Sequence, residues 1–497
     1  TLLDGGDAQS ALTCLDGAIA AQPTSQPAWY LRGVAAAELW EIERGSISET
    51  ASTSQALQVA RDSFARVLAL DTSTRSENRY LASLAGAKLL AKAAAERDQD
   101  GESPSDPHED RRCIAQLLAE AQQGFQEALR LHEQWGHDEL GSDEWGAWAG
   151  ALALVAKGRM AEIEEEAAFA EPALRAAQRL CADASQKFTA AAAAAGEADS
   201  DAHWLTLHTE LLVSFTELAC KALSSSVAKG QPPAAAAAVP FEAWAEAAES
   251  AWREANHLAD GIVHLFGGPA ACNWETLALH ADVLAAGAAL LGSLALHVAA
   301  PSLALPSAAP PPDDPMMPAG QGGEQLILAS AGEIRRVDES ECTALSAAAY
   351  ETAATRGGRK AAAVVGLAAG ELLLGRARRM LRAHGALSAD PSSGQASELA
   401  ECCRCAIASL HTVTRLQGEE AEDPSDAQAT AWYNIACVHG LAREAELAAQ
   451  ALQSCIACLP KRERGPWLAE ASADDDLAYV RDHSSLQVVL VCRPGRK

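Results

Sequence analysis

The stretch AWYNIACVHGLAREAELAAQALQSCIACLP, residues 431–460, decides the fold. Trp432, Ile435 and Ala436 are spaced three and four apart, as are Ala448, Leu452 and Cys455, and Pro460 closes the run. Residues at those spacings share one face of a helix, so a small side chain admits a neighbouring helix while the larger one fills the gap beside it. The stretch therefore predicts two packed helices, here termed A and then B.

The B-type spacing recurs along the chain. An alanine, an aromatic four residues on and a small residue three further appear as Ala60/Phe64/Val67, Ala121/Phe125/Ala128, Ala184/Phe188/Ala191 and Ala248/Trp252/Ala255. The aromatics of these sets lie 61, 63 and 64 residues apart. Looser versions occur at Ala11/Leu15/Ala18, Ser346/Tyr350/Ala353, Leu399/Cys403/Ala406 and Ala448/Leu452/Cys455, making about eight units. Preceding helices supply large anchors, most often tryptophan: Trp29, Trp145 with Trp148, Trp204, Trp274 and Trp432. Phe64, Phe125, Phe188 and Trp252 are expected to be buried in equivalent places.

These positions resemble the tetratricopeptide repeat (TPR), whose pattern is W-x2-L-G-x2-Y, then A-x3-F, then P. Residues 431–460 fit it with His439 in place of the tyrosine, and Ala11, Leu15, Ala18 and Pro23 followed by Trp29 and Gly33 fit it with Arg32 in place of the leucine. Long inserts depart from the family's tight A-to-B turns at 41–54, 97–111, 228–240 and 385–397. The resemblance implies an all-α chain of helical hairpins stacked into a right-handed superhelix, an α-solenoid, with a concave groove lined by A helices. It implies partner contacts on those faces, at Tyr30, Val34 and Glu38 in one unit and Tyr433 and Cys437 in the last. The basic and amide set with which some members grip acidic chaperone tails is missing from 28–40 and 145–157, so that activity is not implied.

Three regions are expected: a repeat array over 1–299, a Pro/Gly-rich flexible spacer over 300–335 that divides the array, and further repeats with a capping segment over 336–497. Within the last, Leu477, Val480 and Leu486 are candidates to cover the final pair. The start at Thr1, with a turn-like DGGD at 4–7, suggests a missing first helix.

Of the 497 residues 49% are hydrophobic but only 5% aromatic, a balance suited to closely packed helices. A formal charge of −28 opposes a phosphate backbone or an anionic bilayer, which argues against nucleic acid and membrane-surface partners. The most apolar run, Val283 to Leu296, is too short to span a bilayer and reads as a buried helix. Thirteen scattered cysteines suit reduced core positions in an intracellular, cytoplasmic setting.

Two CxxC pairs, Cys402/Cys405 and Cys455/Cys458, fall inside B helices, where packing is favoured over zinc or redox chemistry. His203 and His208 are five apart and diverge around a helix. Neither a phosphate-binding glycine loop nor a nucleophile elbow occurs, so no catalytic, cofactor or metal residues are assigned. One basic stretch stands out over 356–384, with Arg356, Arg359, Lys360, Arg376, Arg378, Arg379 and Arg382 against the single acid Glu371. Arg376, Arg379 and Arg382 form a slowly rotating stripe that could dock an acidic segment of a partner, unless acids at 419–423 or 474–476 neutralise it. The expected function is a non-catalytic protein-interaction scaffold. The alternatives are a helical-repeat RNA binder, or the regulatory repeat region of a longer protein.

Overall fold

The computed structural model describes residues 7–45, 51–70, 77–99, 107–135, 140–165, 171–195, 198–228, 241–266, 269–303, 326–330, 333–337, 339–384, 394–415, 424–460 and 462–491. Helices dominate. In chain order they are α1 (Ala8–Ala21), α2 (Gln26–Gly45), α3 (Ala51–Leu70), α4 (Glu77–Gln99), α5 (Pro107–Trp135), α6 (Ser142–Glu165), α7 (Glu171–Ala195) and α8 (Ala198–Ala228). They continue with α9 (Phe241–Leu265), α10 (Trp274–Leu303), α11 (Glu339–His384), α12 (Gly394–Thr414), α13 (Pro424–Leu441), α14 (Ala445–Cys458), α15 (Arg464–Ala473) and α16 (Ser484–Val491).

The B motif falls on α1, α3, α5, α7, α9, the first part of α11, α12 and α14, and every intervening helix is an A helix. Strict alternation survives because α11 is two helices in one: Gly358 breaks it with φ 65° and ψ −148°, a conformation that only glycine adopts without strain. Phe64, Phe125, Phe188 and Trp252 are all buried, as their spacing predicts, and the small residues around them are fully enclosed. Ala18 on α1 departs from the pattern, being exposed at the start of the described stack.

The chain divides into two compact units, one of 1–166 with 175–211 and one of 167–174 with 212–497. In the first, α2 packs most extensively on α3 and α4 on α5, the B helices that follow them, while α6 packs on α4 and α5, and α2, α4 and α6 touch in succession. That gives a layer of A helices against a layer of B helices. The second unit repeats the arrangement with α10 on α11, α11 on α12 and α13 on α14. This is the all-α, paired-helix arrangement of an α-solenoid.

The stretch 300–335 differs from expectation. Its first residues complete α10, and Leu326–Ser330 (β1) pairs antiparallel with Glu333–Val337 (β2), in a register from Leu326 opposite Val337 to Ser330 opposite Glu333. The β1 strand lies against α9. Because α10 and α11 pack closely across this stretch, it is an insert inside one helix pair and not a divider of the array; the boundary between units falls in α8.

By length and apolar composition Trp274–Leu294 of α10 could cross a membrane, but most of that segment is buried between its neighbours. The turn between α13 and α14 is tight. Glu444 N–H donates to His439 C=O at 2.9 Å and Arg443 N–H to Gly440 C=O at 3.0 Å, a Schellman closure that holds Arg443 at φ 62°.

Candidate functional site

On α2 the three residues implied as partner contacts lie four apart. Tyr30 is half-buried with its ring 6.2 Å from Phe64, and burial raises its phenol pKa. Val34 and Glu38 remain partly exposed beside it. Arg32, standing where the repeat pattern has leucine, ties α2 to both neighbours: it pairs with Asp16 on α1 at 2.7 Å and donates to Ser63 Oγ on α3 at 2.9 Å. Its guanidinium also lies 5.6 Å from the centre of the Trp29 ring. A cation thus does here the bridging that a leucine would do by packing.

Two arginines of the stripe, Arg376 and Arg379, are turned into the fold. Arg376 donates to Ser340 Oγ at 2.9 Å and pairs with Glu398, and Arg379 reaches Glu339 at 2.9 Å. Their side chains are only 14% and 15% exposed, so the charges are spent inside the fold. Arg378 donates to Asp476 at 2.7 Å, and Arg356 to the carbonyls of Pro269 and Cys272 at 2.6 and 2.9 Å. Of the two acidic stretches weighed as neutralisers, 474–476 takes Arg378, while 419–423 and the Arg382 side chain lie outside the described residues.

Tyr433 and Cys437 are likewise closed to a partner, because the C-terminal segment covers α13. Tyr433 donates to Asp474 at 2.7 Å and meets Trp467 edge-on at 5.4 Å. The Cys437 thiol lies 3.7 Å from the same carboxylate and is fully buried. Leu477, Val480 and Leu486 are buried, as expected of a cap. Gly440 lets the cap approach, since a Cβ there would fall 2.5 Å from Asp476 C=O. Ligand atoms of Cys437, Asp474 and Asp476 gather within 4.8 Å of one another. Their hydrogen bonds from Tyr433 and Cys437 and the ion pair with Arg378 already satisfy them, which makes the group a polar lock for the cap.

The CxxC residues divide between core and surface. Cys402 donates to Leu373 C=O at 3.1 Å, Cys403 and Cys455 are buried, and Cys405 is exposed beside Glu401. Burial pushes the Cys402 thiol up to about 11 and those of Cys403 and Cys455 to about 12, so all three are protonated near neutrality and inert as nucleophiles. His203 is exposed against Trp204 at 4.6 Å between ring centres. His208 is buried, stacks on Phe188 at 5.6 Å and shares a 2.6 Å hydrogen bond with Ser185. Desolvation lowers its pKa to about 4.

Two polar groupings escaped sequence reading. Tyr350, the aromatic of its B motif, donates its hydroxyl to Asp282, and Ser346 donates to Ala281 C=O at 2.8 Å, so this pair of helices is pinned by polar contacts where Phe64, Phe125 and Phe188 offer only a phenyl ring. Separately, Asp260 on α9 faces His280 on α10 at 3.7 Å. The spacing His257-x2-Asp260-x3-His264 on one helix was the available signal for the second grouping.

No family model matches the sequence, and no curated protein matches it. Among solved structures the chain is similar to a "Circular tandem repeat protein with novel repeat topology and enhanced subunit contact surfaces", at 14% identity over 98% of this chain and 88% of that one, with a TM-score of 0.28.

Proposed function

We propose that this chain is a non-catalytic scaffold of the tetratricopeptide class, holding protein partners against its layer of A helices. The observation that supports the reading is the succession α2, α4, α6, on whose first helix Tyr30, Val34 and Glu38 remain partly exposed. Arg376 and Arg379 are paired within the chain, which weakens the case for an acidic partner segment at that stripe. With a formal charge of −28 the complementary partner is a neutral or basic segment. A reducing intracellular setting belongs to the same proposal, because buried protonated thiols such as Cys181 and Cys220 are core residues there.

Affinity capture from cell extract with quantitative mass spectrometry tests it, using the full chain and a Val34→Glu/Glu38→Lys variant of unchanged helicity. The expected result is a specific set of proteins depleted by the variant. Recovery of the same set at the same abundance removes α2 as the contact face, and no specific set at all removes the scaffold reading.

A further inference from the structure

The α9–α10 pair holds an unsatisfied carboxylate. Asp260 is 14% exposed, its Oδ2 is buried without a hydrogen-bond partner, and its Oδ1 lies 3.7 Å from His280 Nε2, beyond hydrogen-bonding range. A buried carboxylate that accepts so little is costly, and something of opposite charge is the usual remedy.

Three imidazoles belong to this pair of helices: His280 faces Asp260 across the interface at 3.7 Å, and His264 and His257 stand on its own helix. His257 and His264 stand three residues before and four after Asp260, the spacings that share one helix face, and both are exposed.

The backbone is set for such a site. Trp252 Nε1 donates to Val283 C=O at 2.8 Å, and its indole fills the space over Gly287, where a Cβ would fall 2.5 Å from Nε1. That contact fixes the register of α9 on α10 two turns from Asp260. A tetrahedral zinc ion bound at roughly 2.0–2.1 Å to an imidazole nitrogen and roughly 2.0–2.2 Å to a carboxylate oxygen holds those two atoms about 3.4 Å apart. The observed 3.7 Å is close to that separation and wider than a direct bond requires.

We propose that Asp260, His264 and His280, with His257 as fourth ligand, form a zinc site that clamps α9 to α10. Two ligands already face each other across the helix interface, and the two exposed histidines complete the shell by side-chain rotation. Borderline nitrogen and oxygen donors in a four-ligand set suit zinc better than calcium or magnesium, which take all-oxygen shells.

The test uses the full chain, reduced, stripped with chelator and reloaded with zinc or cobalt. The expected result is about one zinc retained per chain after dialysis, a rise in melting temperature on zinc addition, and retention at least tenfold lower in Asp260→Asn, His280→Gln and His264→Gln. Cobalt should give visible d–d absorption without the near-ultraviolet band of thiolate coordination. His264 is exposed, so His264→Gln serves even if a change at the interface disturbs folding. Failure to retain zinc overturns the proposal, as does a thiolate band that persists in Asp260→Asn and His264→Gln, which would assign the metal to cysteines.

Discussion

Gly33 on α2 lies beneath the ring of Phe64 on α3, so close that a Cβ at position 33 would fall 2.6 Å from Phe64 Cε1. The B aromatic is buried because the A helix leaves it a glycine-sized opening. Gly287 under Trp252 repeats the device with the larger indole. Gly33→Ala is expected to destabilise the first unit by about 1–3 kcal/mol through overpacking, despite alanine's better helix propensity. Urea unfolding followed by far-ultraviolet dichroism measures it; a neutral or stabilising result would mean the Phe64 ring turns aside freely.

His208 ties the stability of that unit to pH. Its folded pKa of about 4 lies below the ordinary 6.5, so between those values the unfolded chain binds more protons than the folded one. The stabilisation is complete above about pH 6.5 and declines as pH falls towards 4, by roughly 3 kcal/mol in all. Comparing wild type with His208→Gln at pH 7 and pH 4.5 isolates this contribution from the carboxylates. The difference in unfolding free energy between the two proteins should shrink markedly at the lower pH.

The cap should be separable from the stack by a single core change. Leu477 is fully buried in it, and Leu477→Ala is expected to cost about 2–5 kcal/mol. Because the cap covers Cys437, the readout is chemical as well: the thiol should become reactive towards a maleimide in the variant and stay protected in the parent. Equal protection in both would place the cover of Cys437 elsewhere.

Arg443 occupies a left-handed position at φ 62° while its guanidinium sits 5.0 Å from the centre of the Tyr479 ring. Arg443→Gly relieves about 1 kcal/mol of backbone strain and gives up about 0.5–1 kcal/mol of cation–π attraction, so the two nearly cancel. Arg443→Val keeps the strain, worsens it with a branched Cβ and loses the ring contact. It is expected to melt lower than the glycine variant by about 1–2 kcal/mol in stability, measured by thermal unfolding.

The B helices were legible because burial repeats at fixed spacing, and Phe64, Phe125, Phe188 and Trp252 announce it within a few residues each. The ends of the arginines were not. Arg378 finds Asp476 98 residues on and Arg379 finds Glu339 40 residues back, so a stripe that looks solvated along its own helix is neutralised by segments that only folding brings near. Tyr433 and Cys437 misled for the same reason: the repeat pattern marks the face of α13, and says nothing of a later segment that lies over it. The 326–337 strands were hidden by the prolines before them, although LILAS and EIRRV are strand-length runs rich in leucine, isoleucine and valine. Asp260 and its histidines fell between familiar motifs, being split across two helices at a spacing that no standard zinc signature contains.

The placement of 300–335 inside the α10–α11 pair also bears on how the chain withstands damage. A peptide bond cut between 304 and 325 leaves both helices of the pair whole, with Ser346 still bonded to Ala281 and Tyr350 to Asp282. Loop-closure entropy, the share that any covalent connection contributes, grows slowly with length. A nicked molecule would therefore stay together as two tightly associated fragments, and the same two pieces made apart would find each other as a split protein does.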